Sequence, residues 1–301
     1  MDPSRIKADY IKFLIYDIYL FMKNICPICD SSFVLKKINT GLCKVTTCGN
    51  CSHEYTQKKD IIVSEKYNKN YFNEVHKNWF ANPQIKLFKL ISKIIRENFD
   101  EYDLKILDVG CGKGALLYYL EKSIRETYLT GIDVSDSMKN IKSNVNIIQT
   151  TLNDFKSNIH YDVIISTAVI EHLDDVKMFL IKIKKLLKSN GIIIIATNDT
   201  DTPLYKLAKI FNILGIKTFY RRLYDPHHLN HFNKKNLGIL ARNVGLRSIF
   251  THGINVPLKS LDIPSSSKFR RFIYKIGVRF LFFLGTVFNH HFFQIHVFIK
   301  D

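Results

Sequence analysis

The sequence predicts an α/β protein with a doubly wound sheet of seven strands, a small cysteine-rich N-terminal module and a helical insertion near the C-terminus. Three observations predict this fold. Short apolar segments alternate with helical ones, a glycine-rich turn follows the first of them, and two Cys-x-x-Cys pairs lie upstream. Regular alternation of short strands and helices is typical of a parallel sheet with helices on both faces.

Five of the predicted strands are short apolar segments, at residues 105–109, 128–133, 145–149, 161–166 and 191–197. Helical stretches fill the gaps between them at residues 115–126, 136–143 and 174–188. Two further strand candidates, "LRSIFTHGI" (246–254) and "FFQIHVFIKD" (292–301), have no ordinary crossover helix between them. We therefore expect the last two strands to pair antiparallel, which brings the sheet to seven strands.

The chain divides into five predicted regions. Residues 1–23 form an amphipathic helix whose charged Asp9, Lys12 and Asp17 are unlike a signal peptide, and translation starting at Met22 is an alternative. Residues 24–60 form the cysteine-rich module, and residues 61–100 form a helical cap with apolar residues at three- and four-residue spacing. The main domain spans 101–254, and residues 255–301 hold an aromatic and basic helical insertion and the final strand.

The composition gives a strongly basic chain, with 44 Lys and Arg against 27 Asp and Glu and a formal net charge of +17. This charge indicates an anionic partner such as nucleic acid, a phospholipid surface or a phosphorylated substrate, or else a bias in composition alone.

No apolar run reaches 18 residues, so no membrane-spanning helix is predicted. The predicted compartment is the cytoplasm, with peripheral contact at the inner membrane face as an addition.

Four of the six cysteines form two knuckles, "CPIC" and "CGNC". Paired Cys-x-x-Cys knuckles at this spacing predict a structural zinc ribbon in a reducing compartment rather than a disulfide framework. The predicted zinc ligands are Cys26, Cys29, Cys48 and Cys51. Cys43 and His53 are substitutes if one of these ligands is assigned wrongly.

The turn "ILDVGCGKG" allows a ligand to approach the backbone closely. Gly110, Gly112 and Ala115 also satisfy the loose dinucleotide pattern, but the carboxylate of Asp108 beside the turn disfavours a pyrophosphate and favours a cationic ligand. The next predicted strand ends at Asp133, where an acidic residue can accept both hydroxyls of a ribose. Together these residues suit an adenosine that carries a cationic amino acid, which describes S-adenosylmethionine.

Four segments, "ILDVGCGKG", "GIDVSDSM", "YDVIISTAVIEHLDD" and "LLKSNGIIIIATN", resemble the class I S-adenosylmethionine-dependent methyltransferases in order and spacing. The resemblance covers residues 106–246 and implies a Rossmann-like fold. It also implies positions for the cofactor. The methionine end would lie at Asp108, Gly110, Gly112 and Gly114, the ribose at Asp133, and the adenine near Val134 and Met138.

The segment "QTTLNDF" departs from the pattern of the resembled family, which often has an acidic residue near Thr151 to contact the adenine amino group. Here the acid comes later, so Leu152 and Asp154 are the candidates. Ser166 and Thr167 end the fourth predicted strand and face the cofactor in many proteins of this family.

Two segments offer candidate acid–base residues. His172, in "EHL", is a candidate general base because the ordinary pKa of histidine lies near neutrality; capping of the following helix by Glu171 and His172 is the alternative. The segment "DPHHLNHFNKKNL" holds three histidines, of which His227 and His231 are the candidates for a base on a substrate-side lid. Ordinary loop packing is the alternative.

The order of a zinc ribbon, a tyrosine-rich segment and a cofactor domain resembles bacterial methyltransferases of sugar and surface-polysaccharide biosynthesis. That resemblance implies a small-molecule or lipid-linked glycan acceptor. The basic charge and the zinc module make RNA methylation the first alternative, and a non-catalytic binding subunit is the second.

The insertion bears on the partner. Lys268, Arg271, Lys275 and Arg279 form one basic stripe on a predicted helix, with aromatic and aliphatic residues on the other faces. Such a helix can lie on an anionic membrane surface. The alternative is that its aromatic face packs against the sheet.

Overall fold

The computed structural model describes residues 25–61, 77–100, 102–135, 144–261 and 267–301. The predicted helices at 1–23 and 136–143 and the tyrosine-rich segment "KYNKNYF" (66–72) therefore lie outside the described residues. The strands are β1 (Val34–Asn39), β2 (Cys43–Cys48), β3 (Glu54–Ile61), β4 (Leu104–Val109), β5 (Thr127–Asp133), β6 (Val145–Gln149), β7 (Tyr161–Thr167), β8 (Leu187–Asn198), β9 (Asn230–His231), β10 (Leu246–Ile254) and β11 (Phe293–Lys300).

The helices alternate with these strands as predicted. They are α1 (Lys77–Ala81), α2 (Ile85–Asn98), α3 (Ala115–Ser123), α4 (Val176–Leu186), α5 (Pro203–Ile213), α6 (Lys217–Leu223), α7 (Lys234–Asn243) and α8 (Lys268–Val287). Two short 3₁₀ turns, Ile170–His172 and Leu258–Ser260, complete the described secondary structure.

The large sheet has seven strands in the order β10-β11-β8-β7-β4-β5-β6. Strands β8, β7, β4, β5 and β6 are parallel, whereas β11 is antiparallel to both β8 and β10. β4 and β7 are buried at almost every position because helices cover both faces of the sheet. The seven-stranded α/β fold and its antiparallel terminal pair are confirmed.

The predicted bounds are wrong at three helix ends. α3 stops at Ser123 because Ile124 is extended and Glu126 has a positive φ of 47°. α4 begins at Val176 and ends at Leu186, and β8 begins already at Leu187, which pairs with Tyr161 of β7. Pairing with a neighbouring strand decided where this helix ends, and periodicity along one segment does not carry that information.

The cap segment is helical in α1 and α2. Leu87, Ile91 and Ile95 of α2 are buried in the core, as their spacing predicts. The start of the predicted cap is wrong at residue 61, because Ile61 still belongs to β3 and pairs with Cys43.

A second sheet, in the order β1-β2-β3-β9, contains the cysteine-rich module. Its fourth strand comes from the methyltransferase-like part of the chain, since Asn230 and His231 of β9 pair with Tyr55 and Glu54 of β3. Asn243 at the end of α7 also donates to the carbonyl oxygen of Ile28 at 2.8 Å. The module is therefore docked on the large domain by backbone and side-chain hydrogen bonds.

Helix α8 packs on the domain through one side only. Phe282 and Gly285 are buried, while Phe269, Phe272 and Phe283 are each more than half exposed. The alternative in which the aromatic face packs on the sheet is wrong for these three residues.

Candidate active site

The turn between β4 and α3 depends on glycine at defined positions. Gly110, Gly112 and Gly114 all have left-handed backbone conformations, with φ of 79°, 53° and 74°. A Cβ atom on Gly110 would lie 2.2 Å from Cγ2 of Val169, and one on Gly114 would lie 2.5 Å from Cδ1 of Ile147. Around Gly112 no atom lies within 4 Å of such a Cβ, so the backbone there is open to a ligand.

Asp133 closes the turn from the end of the neighbouring strand. Its Oδ2 accepts from the backbone N–H of Gly112 and its Oδ1 from that of Ser135, both at 2.8 Å. An ionised carboxylate offers about four lone-pair positions, so two bonds leave capacity for ligand hydroxyls. This placement fits the ribose role that the sequence predicts.

Asp108 lies buried beneath the same turn. Its Oδ1 has no hydrogen-bond partner among the described residues. Burial, and secondarily the charge of Asp133, raise the pKa of Asp108 to about 7. A buried carboxyl oxygen without a partner fits a ligand that brings a cationic donor, such as the ammonium group of S-adenosylmethionine.

These residues lie beside a cavity of about 840 Å³. The cavity is at the carboxyl ends of the parallel strands, where open α/β sheets bind their ligands. Six of the predicted cofactor residues line it: Gly110, Gly112, Asp133, Val134, Leu152 and Thr167.

The other predicted cofactor residues have different positions. Asp108 and Gly114 do not line the cavity, and Met138 lies outside the described residues. Asp154 is exposed and accepts from Oγ1 of Thr151 at 2.6 Å, while Asn153 lines the cavity in its place. Ser166 is buried and donates to the carbonyl oxygen of Val109 at 3.0 Å, which ties β7 to β4.

A group of acid–base side chains comes from two segments, the one that follows β7 and the one between α6 and β9. Glu171, His172 and His228 each place one ligating atom within 4.8 Å of the others, and all three line the cavity. Oε2 of Glu171 accepts from Oγ1 of Thr197 at 2.9 Å. Burial raises the pKa of Glu171 to about 7, so this carboxyl titrates near neutrality.

His172 is held by a hydrogen bond to the backbone, unlike Glu171. Its Nδ1 lies 2.8 Å from the carbonyl oxygen of His227; since a carbonyl only accepts, Nδ1 carries the proton. Burial lowers the pKa of His172 to about 4, so the ring is neutral near pH 7. A neutral ring with this pKa is a weaker proton acceptor than Glu171.

The predicted lid histidines, His227 and His231, do not line the cavity. His231 is buried in β9, with its ring 4.5 Å from that of Tyr224. Sequence reasoning missed His228 because its neighbour His227 has the same chemistry, and only the backbone path decides which ring faces the cavity. It also missed Glu171 as an acid–base candidate, although the signal, an acid directly after an apolar strand, was present.

A second part of the cavity lining, the apolar half, is mainly apolar but also includes Thr218 and Arg222. It is formed by α5, α6, α8 and the residues before β11, through the side chains of Leu204, Phe219, Leu223, Tyr274, Val278 and Phe292. The acid–base group, the residues that fit the cofactor (the cofactor half) and the apolar half therefore line one and the same cavity.

The four predicted zinc ligands are brought together. Sγ of Cys26 lies 3.5 Å from that of Cys51, and Sγ of Cys29 lies 3.6 Å from that of Cys48. All four sulfur atoms lie within 4.8 Å of one another, a spacing that a tetrahedral ion with metal–sulfur bonds of about 2.3 Å requires. The substitute ligands are elsewhere: Cys43 contacts Thr40, and His53 contacts Asn230.

The fold and the cofactor half of the cavity define a class I methyltransferase. The family model for a methyltransferase domain matches residues 84–249, which is more than half of the chain. The chain belongs to this methyltransferase family and is an S-adenosylmethionine-dependent enzyme.

Curated relatives give the same class. The chain is 35% identical over 169 residues to a ubiquinone biosynthesis O-methyltransferase of Rickettsia canadensis, covering 51% of this chain and 68% of the relative. It is 32% identical over 167 residues to the protein of the same name from Rickettsia felis, covering 51% of this chain and 66% of that relative. About half of this chain therefore lies outside these matches.

A solved structure supports the fold alone. Magnesium protoporphyrin IX methyltransferase from Synechocystis, with bound S-adenosylhomocysteine, superposes with a TM-score of 0.51. The two chains are 13% identical, over 77% of this chain and 98% of the other.

Proposed function

We propose that this enzyme transfers a methyl group to a hydroxyl oxygen on an apolar, ring-shaped acceptor. The observation that carries the proposal is that Glu171 and His228 line the same cavity as the apolar half and the cofactor half. A carboxyl beside an apolar chamber suits an acceptor with one polar edge and an extended apolar body.

Different residues of the chain would bind different parts of the cofactor. The carboxyl of Asp108 would pair with the ammonium group, Asp133 would accept from the ribose hydroxyls, and Val134 and Leu152 would flank the adenine. When bound, S-adenosylmethionine supplies an electrophilic methyl group on a sulfonium sulfur.

Glu171 is the proposed general base. Its carboxylate would take the proton from the acceptor hydroxyl as the oxygen–methyl bond forms and the sulfur–methyl bond breaks, leaving an ether and S-adenosylhomocysteine. A base whose pKa lies near 7 is well matched to this step at neutral pH. His228, which also faces the cavity, would orient the hydroxyl, because placing the nucleophile in line with the methyl group supplies much of the rate.

The names of the relatives support a hydroxyl group as the acceptor. They are O-methyltransferases of ubiquinone biosynthesis, and ubiquinone has a ring with a long apolar tail. The elements that line the apolar half include α8, which lies beyond the matched residues 84–249. The cavity therefore supports the apolar character of the acceptor, and the relatives support oxygen as the atom that is methylated.

The sugar, lipid-linked glycan and RNA acceptors expected above stay predictions. A sugar presents hydroxyls on every side, and the apolar lining offers those hydroxyls few partners. The apolar acceptor is favoured on that ground.

We also propose that Cys26, Cys29, Cys48 and Cys51 hold a structural zinc ion. The four thiolates would complete the tetrahedral coordination, which closes the site to any reacting molecule. The ion would stabilise a module with little core of its own.

The test uses purified protein, tritium-labelled S-adenosylmethionine and a lysate whose products are separated into lipid-soluble material, small polar metabolites and RNA. We expect label in the lipid-soluble fraction, resistant to ribonuclease, and loss of that label in Glu171→Gln. A matched pair of catechols, with and without an isoprenoid tail, then measures selectivity, and the tailed compound should have a KM at least about tenfold lower. Label confined to polar metabolites would indicate a sugar or another small acceptor and contradict the proposal. Label that ribonuclease removes would indicate RNA.

A further inference from the structure

Helix α8 presents an apolar face to solvent that the enzyme's own core does not use. Seven side chains on this face are 48–71% exposed: Phe269, Phe272, Ile273, Ile276, Phe280, Phe283 and Val287. At about 100° per residue they fall within an arc of about 100°, opposite the side on which Tyr274, Val278 and Phe282 face the domain. An exposed patch of this size on one helix marks an interaction surface.

The charge around this face is of one sign. α8 contains Lys268, Arg270, Arg271, Lys275 and Arg279, all exposed, and no acidic residue. At the same helical spacing, Lys268, Lys275 and Arg279 lie along one flank of the apolar face, so that basic and apolar surfaces run side by side.

The neighbouring pair of helices repeats this composition. α5 and α6 contain five Lys and Arg residues and no Asp or Glu, and the turn between them exposes Ile213 and Leu214 by about 70%. Phe219 of α6 lies 5.9 Å from Tyr274 of α8 in an edge-to-face contact, so the two segments are adjacent.

We propose that α8, together with the turn between α5 and α6, docks this enzyme on the surface of an anionic lipid bilayer. The apolar face would enter the boundary between headgroups and acyl chains, and the basic flank would lie among the lipid phosphates. The complementary charge favours lipid over a second copy of this basic chain, because two copies facing each other across α8 would bring their basic flanks together.

The helix would lie on the bilayer rather than cross it. None of the helices in the described part of the chain combines the length and the apolar character that crossing a bilayer needs. The five cations of α8 are spread from its first residue to Arg279, which fits a helix parallel to the surface.

Docking would also place the cavity at the membrane. Tyr274 and Val278 line the apolar half of the cavity from the inner side of α8, while Phe272 and Phe280 lie on its outer side. One helix thus separates the proposed lipid contact from the acceptor chamber. This step rests on the proposed function, whereas the docking itself does not.

The experiment measures co-sedimentation of the full chain with vesicles of phosphatidylcholine alone and of phosphatidylcholine with phosphatidylglycerol. We expect binding at least about tenfold tighter to the anionic vesicles, weakening several-fold between 0.05 and 0.5 M salt. Phe272→Ser with Phe280→Ser should lower binding at least about tenfold, and Lys275→Glu with Arg279→Glu should abolish the preference for anionic lipid.

The matched control is Leu35→Ser with Phe250→Ser, which removes exposed apolar side chains on β1 and β10, outside α8. Circular dichroism and affinity for S-adenosylhomocysteine show that each variant is folded, so loss of vesicle binding is separable from unfolding. Equal binding by the control and the α8 variants would overturn the proposal. So would a stable dimer in lipid-free solution that only the α8 variants dissociate. Failure of the methylation assay with intact vesicle binding would reject the proposed acceptor and leave the docking standing.

Discussion

Asn230 joins His53 of the cysteine-rich module to the segment that carries the acid–base group. Its Oδ1 lies 3.2 Å from Nε2 of His53, and its Nδ2 donates to the carbonyl oxygen of Leu173 at 2.7 Å. Leu173 directly follows Glu171 and His172. A single buried side chain therefore connects the small sheet to the edge of the cavity.

Replacing Asn230 with Ala should cost about 1–3 kcal/mol in the free energy of unfolding, because the carbonyl of Leu173 and the ring of His53 lose their buried partner. It should also raise the KM for the acceptor more than that for the cofactor. Urea unfolding and steady-state kinetics measure the two effects. Asn146→Ala, at an exposed position on β6, is the control and should change neither.

One glycine of the turn and one glycine inside a helix give a matched pair of substitutions. Gly110→Ala places a Cβ 2.2 Å from Val169 in a left-handed conformation, so we expect cofactor affinity to fall at least about tenfold. Gly238→Ala, inside α7 with open space around it, should stabilise the protein by about 0.5–1 kcal/mol and leave affinity unchanged. Calorimetric titration with S-adenosylhomocysteine measures the affinity of both variants, and urea unfolding measures the stability of Gly238→Ala. Wild-type affinity in Gly110→Ala would contradict the assigned turn.

The buried carboxyl of Asp108 should make stability depend on pH. Its pKa is raised to about 7, so the folded state holds the proton more tightly than the unfolded state does. The stabilising effect is fully present below the ordinary pKa of aspartic acid and is lost as the pH rises through about 7. Between pH 5 and 8, wild type should lose about 2–3 kcal/mol relative to Asp108→Asn in ligand-free unfolding. Parallel stability curves for the two proteins would show that Asp108 is not the group responsible.

The rate should follow the carboxyl of Glu171. With a pKa raised to about 7, it becomes an available base as the pH rises through neutrality, and kcat/KM should rise over the same interval. Glu171→Gln should lower kcat about a hundredfold or more and remove this limb of the profile. His252→Ala, at an exposed histidine, is the control. If kcat/KM of Glu171→Gln still rises through neutral pH, another group is the general base.

Metal removal should affect the cavity indirectly. Chelation, or Cys48→Ser, should release one zinc per chain and lower the free energy of unfolding. Because β9 pairs with β3, the acceptor KM should rise as well. Cys43→Ser, a buried cysteine outside the cluster, should keep its zinc when the metal is measured by mass spectrometry.

The sequence contained the parts of this enzyme that depend on local patterns. The glycine turn, Asp133, the parallel strands and the cluster of four cysteines are each specified by neighbours within a short segment or by spacing. The choice among His227, His228 and His231 depends on how β9 joins the small sheet, a contact between distant segments. Likewise, the apolar face of α8 has the same helical period whether it packs inward or faces solvent, so only the tertiary arrangement separates the two.

The pairing of β9 with β3 sets the order in which this chain can mature. His53 and Asn230 are 177 residues apart, so the small sheet lacks its last strand when its cysteines leave the ribosome. The four thiols all lie within residues 26–51 and are complete at that stage, so metal loading can precede synthesis of the catalytic domain. A zinc ion bound at that stage would stabilise the module early, and its outer strand β3 would pair with β9 only after translation of residues 230–231.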